Sequence, residues 1–122
     1  MPIGNTSATT AIGDIIYVIK ASTATPENDL SGASTPTVYG VEASSIASET
    51  NYIKLYNHAG PTVGTTAPHL ILPVAANSSQ TMLVMAGAPF ANLSVATVQS
   101  AGIAGASLPT GDVSIEILVD LS

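Results

Sequence analysis

The sequence predicts an all-β fold, an antiparallel β-sandwich or jelly-roll-like barrel of about seven strands. Three observations carry that expectation. Apolar and polar residues alternate with a period of two, most clearly at the end of the chain: Val113, Ile115, Ile117, Val119 and Leu121 share one face, and Asp112, Ser114, Glu116 and Asp120 the other. Gly, Pro and Asn interrupt these runs at short intervals, as turns require. No segment repeats its apolar residues at the spacing of an amphipathic helix.

Residues 1–13 are rich in Thr, Ser, Ala and Gly without periodicity, so they are expected to form a flexible or partner-ordered arm before a single β-sandwich domain over 14–122. Asp14 to Lys20 is the first strand. It is apolar on both faces, Ile15, Tyr17 and Ile19 against Ile16 and Val18, so it is either central in the sandwich or covered by a neighbouring chain. Ala21 to Pro36 is a polar loop, longer than compact domains usually need, and a place to meet partners. Thr37 to Ile46 follows as a weaker strand with Tyr39, Val41 and Ala43 on one side and Glu42 on the other; Gly40 in its middle signals a bulge.

The stretch Asn51 to Pro68, NYIKLYNHAGPTVGTTAP, holds a strand and a turn-rich corner. Asn51, Ile53, Leu55 and Asn57 point one way, Tyr52, Lys54 and Tyr56 the other. His69 to Val74 is a strand whose Pro73, lacking an N–H, belongs at a sheet edge. Thr81 to Met85 is a short apolar strand before a Gly87, Pro89, Phe90 corner. Leu93 to Gln99 alternates Leu93, Val95 and Thr97 with Ser94, Ala96 and Val98, and a small-residue loop over 100–111 leads to the last strand.

Composition excludes several functions. Charged residues are 8% of the chain against about 25% in an ordinary soluble domain, while 46% are apolar and mean hydropathy is +0.44. Such a surface points to cover by partners in an assembly rather than to a domain kept soluble by hydroxyl groups. The net charge of −6 rests on eight acids against Lys20 and Lys54, with no arginine. Neither nucleic acid nor an anionic membrane is bound that way. No run reaches the 18 or so apolar residues of a membrane helix, and the first cation, Lys20, comes too late for a secretory signal. The absence of cysteine removes disulfides, thiolate metal sites and cysteine nucleophiles.

No catalytic or cofactor constellation stands out, and neither an enzyme nor a cofactor is expected. His58 and His69 lack a third ligand placed by spacing and read as surface groups. Asp112, Glu116 and Asp120 recur every fourth position, about 13 Å apart along a strand, too far for one calcium or a carboxylate pair. Glu27, Asn28 and Asp29 lack the oxygen spacing of a calcium loop. The Gly-x-Ser-x-Gly elbow and a Gly-rich phosphate loop are both missing. Asn5, Asn77 and Asn92 open chance Asn-x-Ser/Thr matches in a Ser- and Thr-rich chain. The candidate interface residues are Tyr52, Lys54 and Tyr56 on the strand, Pro26, Asn28 and Asp29 in the long loop, and Ile3 in the arm. Tyrosines favour interfaces for their area and polar tip; the alternative is that the two rings pack against a second layer of the sheet.

The run Tyr52-Ile-Lys-Leu-Tyr-Asn57, followed by Pro61-Thr-Val-Gly-Thr65 and Pro68, resembles a group of small β-sandwich proteins encoded by tailed bacteriophages. Phe90 before Leu93-Ser-Val-Ala96, and Gly111-Asp112-Val113 opening the last strand, are similar as well. The likeness spans Asn51 to the C-terminus; upstream, Thr23 to Thr35 is longer than the family pattern. The resemblance implies a virion structural protein, a capsid decoration or cement protein on the outer surface of the head, made in the host bacterial cytoplasm and without catalytic residues. Its implied partners are the major capsid protein and neighbouring copies of itself, as a homo-oligomer. The arm and the loop around Pro26 to Gly32 are then expected to meet the shell. A head-fibre or tail-associated adhesive, carbohydrate-binding domain is the alternative, with Tyr17, Tyr39, Tyr52, Tyr56 and Phe90 as its available rings.

Overall fold

The computed structural model of the chain describes residues 15–32 and 34–121. Within them seven strands run in order: β1 (Ile15–Ile19), β2 (Pro36–Ser45), β3 (Asn51–Asn57), β4 (Leu70–Val74), β5 (Ser79–Pro89), β6 (Leu93–Val98) and β7 (Val113–Leu121). They form two antiparallel sheets ordered β1-β7-β2-β5 and β4-β3-β6. The all-β sandwich expected from the alternation is what forms, with no helix among the described residues.

The pairing is that of a long hairpin rolled over itself. β3 pairs with β4 across the 58–69 connection, β2 pairs with β5 outside them, and β1 pairs with β7 outermost. The remaining partner, for the free edge of β6, comes from the long loop after β1. Glu27 N donates to Val95 O at 2.8 Å and Val95 N returns a bond to Glu27 O at 3.1 Å. Thr97 N to Thr23 O and Leu30 N to Leu93 O extend the contact on either side. The segment therefore serves as an irregular fourth member of the smaller sheet, which gives the double-sheet order of a jelly roll without a closed barrel. An edge that would otherwise offer unpaired backbone is covered. The loop expected to be free for a partner spends much of its backbone on β6.

The core lies between the sheets. Val38, Ile53, Leu55, Val74, Leu93, Val95, Val113, Ile115, Ile117 and Val119 are all fully buried, and Phe90 nearly so. Each such side chain contributes about 1.5–3 kcal/mol on burial. Of the five residues that the alternation of β7 placed on one face, Val113, Ile115, Ile117 and Val119 are fully buried and Leu121 packs half-buried against the same core; β7 lies between β1 and β2. Pro73 sits on β4, an edge strand, where its missing N–H costs no ladder bond.

The bulge expected at Gly40 is present: Val38 pairs with Val119 and Gly40 with Leu118, so Tyr39 and Gly40 together stand against one residue of β7. It also corrects the facing of β2. The extra residue shifts the alternation, so that Val38, not Tyr39, joins Val41 and Ala43 in the core, and Tyr39 is only half-buried. On the other side of β2, the register jumps from Gly40 against Leu83 to Val38 against Ala88. β5 thus runs through Gly87 and Pro89, which the sequence placed in a corner beyond a strand ending at Met85.

Gly87 makes that irregularity possible. Its φ is +80°, and a Cβ there would fall 2.6 Å from Thr37 Cγ2 and 3.0 Å from Tyr39 Cε1. Gly87→Ala is accordingly expected to lower unfolding free energy by about 2–4 kcal/mol, combining left-handed strain with a steric clash. Denaturant titration of the two proteins measures it, and a loss within about 0.5 kcal/mol contradicts this account of the bulge.

Candidate functional site

The two outer faces of the sandwich differ, and the difference locates the candidate site. On the smaller sheet the register sets Tyr52 beside Val98, Lys54 beside Ala96 and Tyr56 beside Ser94. Long side chains of β3 thus lie next to short ones of β6. The loop after β6 folds over this face: Lys54 Nζ donates to Gly102 O at 2.6 Å, and Gln99 bonds back to Ser107 O through its N–H and to Leu108 O through Nε2. The 58–69 connection reaches the same loop, since a Cβ on Gly64 would lie 3.6 Å from Ala104 O and 3.7 Å from Ala106 Cβ.

Lys54, Ser94, Ala96 and Val98 are consequently fully buried, Tyr56 almost so, and Tyr52 half-buried. This corrects the expectation of a Tyr-Lys-Tyr surface cluster. The row forms a second buried layer because the chain's own loops cover it. Of the remaining candidates, Pro26 and Asp29 are half-buried and Asn28 is exposed. Ile3 lies outside the described residues.

A polar network ties these layers together. Asp29 N donates to Ser94 Oγ at 2.8 Å, and that hydroxyl donates to His58 O at 2.6 Å, joining the long loop, β6 and the 58–69 connection through one side chain. Asp29 holds a left-handed φ of 47°, and its Oδ1 is buried without a hydrogen-bond partner. At the other end of β3, Glu49 accepts from Asn51 Nδ2 at 2.7 Å and from the N–H and hydroxyl of Thr110, anchoring the end of the covering loop. His58 is exposed, with Nδ1 accepting from Gly60 N. His69 is exposed too, edge-on to Phe90 with ring centroids 5.0 Å apart. Among the described residues no three His, Cys, Asp or Glu side chains gather as a metal site would require.

The larger sheet has no such cover among the described residues. Its outward side chains include Ile16 and Val18 of β1, 56% and 57% exposed, and Leu83 and Met85 of β5, 68% and 85% exposed. Glu42, Ser44, Ser114 and Glu116 lie on the same side, exposed, between those strands. The exposed β1 residues bear on the two alternatives for that strand. It is not central, because it pairs with β7 alone. In the sequence the acids of β7 read as a solvated face; Leu118, which shares that face, is the available signal for an apolar strip.

No protein-family model matches the chain, and no curated protein or solved structure matches it either.

Two outcomes follow from the covered face. Ser94→Ala orphans one donor and one acceptor at part-buried positions, and is expected to cost about 1–3 kcal/mol in denaturant unfolding. Equal stability to the parent chain refutes the linking role. Burial pushes the Lys54 ammonium below its ordinary value. The unfolded chain then binds more protons than the folded one in the window just below the usual lysine value, and stability rises with pH through that window. Hydrogen bonds from Thr110 lower the Glu49 carboxyl, so its contribution is present above the unfolded value and lost as pH falls through the folded one. Lys54→Met should abolish the alkaline rise and leave the acid loss unchanged, as read from melting temperature against pH. Persistence of the alkaline rise in that variant rules out Lys54 as its source.

Proposed function

We propose that the chain is a non-enzymatic structural protein of a tailed-phage virion, a decoration or cement protein that binds and stabilises the outer surface of the head. The observation that carries this reading is the uncovered apolar face of the larger sheet, in a chain with only 8% charged residues. A face holding Ile16, Val18, Leu83 and Met85 in water is characteristic of a partner surface. The motif residues Tyr52 to Asn57 and Pro61 to Thr65 support the same reading. In the structure Lys54 and Tyr56 belong to the covered layer of the smaller sheet, Ile53 and Leu55 to the core, and Gly64 lies against the covering loop, so these residues stabilise the scaffold.

The partners in this reading are the major capsid protein and neighbouring copies of the chain. Many copies on a symmetric shell gain strength by repetition, so each single contact need not be strong. Low charge suits such contacts, because few ionised groups must be stripped of water. The purified chain should co-sediment with empty heads of the phage that encodes it, at a stoichiometry that saturates, and its mass in solution gives the oligomeric state. Heads that pellet without it overturn the proposal, and binding on a glycan array instead supports an adhesive domain.

A further inference from the structure

The outward side of the larger sheet resolves into rows set by strand register. Ile16 of β1 lies beside Leu118 of β7, Leu118 beside Gly40 of β2, and Gly40 beside Leu83 of β5. Two positions along, Val18 lies beside Glu116, Glu116 beside Glu42, and Glu42 beside Thr81. Ser114, Ser44 and Ser79 make the row after that. An apolar row with a gap at glycine therefore runs about 7 Å from a row with two carboxylates at its centre.

The gap is a groove of about 240 Å³, walled by Ile16, Leu83 and Leu118 and bordered by Glu42 and Glu116. Gly40 is its floor: a Cβ there would approach Leu83 Cδ2 to 3.5 Å and Leu118 Cβ to 3.9 Å. Glu42 and Glu116 stand directly opposite on neighbouring strands, an arrangement that costs stability in an isolated sheet. The chain has few means to neutralise them. Of its two cationic side chains, Lys54 is sealed beneath the covering loop of the other sheet. Lys20 follows β1 beside the serine row, diagonal to Glu116, one cation for two carboxylates.

We propose that this face docks a protein segment carrying an arginine or lysine among apolar residues, with its aliphatic stem in the Gly40 groove and its cationic head over Glu42 and Glu116. Long cationic side chains lie along apolar surface in this way while the head stays solvated, and a guanidinium fork suits two carboxylates better than a point charge. A second copy of the chain is a poor occupant. A two-fold contact sets the same patch against itself, glutamates included, at a net charge of −6 per chain. The inference rests on the capsid-binding reading and names what the shell would contribute to it.

The full chain, labelled with ¹⁵N, is titrated with the peptide acetyl-Val-Arg-Leu-Val-amide and with the same peptide carrying glutamate for arginine. The arginine peptide should shift the amides of Gly40, Glu42, Leu83, Glu116 and Leu118, with affinity falling about fivefold from low to high salt. The double variant Glu42→Gln with Glu116→Gln, and separately Leu83→Ser, alter exposed side chains and should each weaken binding by about fivefold or more. Absent shifts, shifts elsewhere, or equal shifts with the glutamate peptide overturn the proposal. So does a dimer in solution that Leu83→Ser converts to monomer, which makes the face a self-contact. Co-sedimentation with empty heads separates the two claims. Heads that bind the parent and the double variant equally refute the docking face and leave the capsid reading intact. Heads that bind neither, with the peptide shifts present, refute the capsid reading alone.

Discussion

Strand β6 is buried along its whole length, and the structure depends on giving its backbone partners on both edges. Water is not available to these groups, and an unpaired buried N–H or C=O costs about as much as a lost hydrogen bond. β3 serves one edge as a regular ladder; the segment from Thr23 to Leu30 serves the other with four bonds despite its irregular path. Pro26 fits there because the bonds are made by residues around it. The segment is tied down again by Ser94, which accepts from Asp29 and donates to His58.

With β6 satisfied, the outer face of the smaller sheet can be sealed as well. Short side chains on β6 leave room for Lys54 and Tyr56, and the covering loop is held at Gly102 by the lysine and at Thr110 by Glu49. The chain spends its three longest connections and one of its two cations on this side. The larger sheet receives no equivalent among the described residues, and its apolar side chains stay in water. That asymmetry suits a protein with one finished side and one side completed by something else.

The two irregularities of β2 and β5 shape the open side. Without the bulge at Tyr39 and Gly40, Tyr39 would enter the core and the notch between Leu83 and Leu118 would not sit in one row. Without a glycine at position 87, β5 could not pass so close to Thr37 and Tyr39. Glycine acts here by absence of a side chain at one site and by a left-handed backbone at the other.

The sequence by itself determined the number and order of the strands, the alternation of β7, the bulge at Gly40 and the edge position of Pro73, but not the facing of β2 at Val38 and Tyr39 or the run of β5 beyond Met85. What it determined is local: it depends on side-chain period or on what Gly and Pro do to their own backbone. It also showed, in β1, a strand apolar on both faces. What only the tertiary structure decided is which face of each strand is covered. Lys54 and Tyr56 looked like a surface pair because a lysine between two tyrosines is amphipathic in any strand; loops some 10 to 50 residues away in sequence close over them. Leu118, Gly40, Leu83 and Ile16 come from four separate strands, and their single row is a property of register. Long-range pairing carries no local mark in the chain, so the open apolar face became visible only once the sheet was assembled.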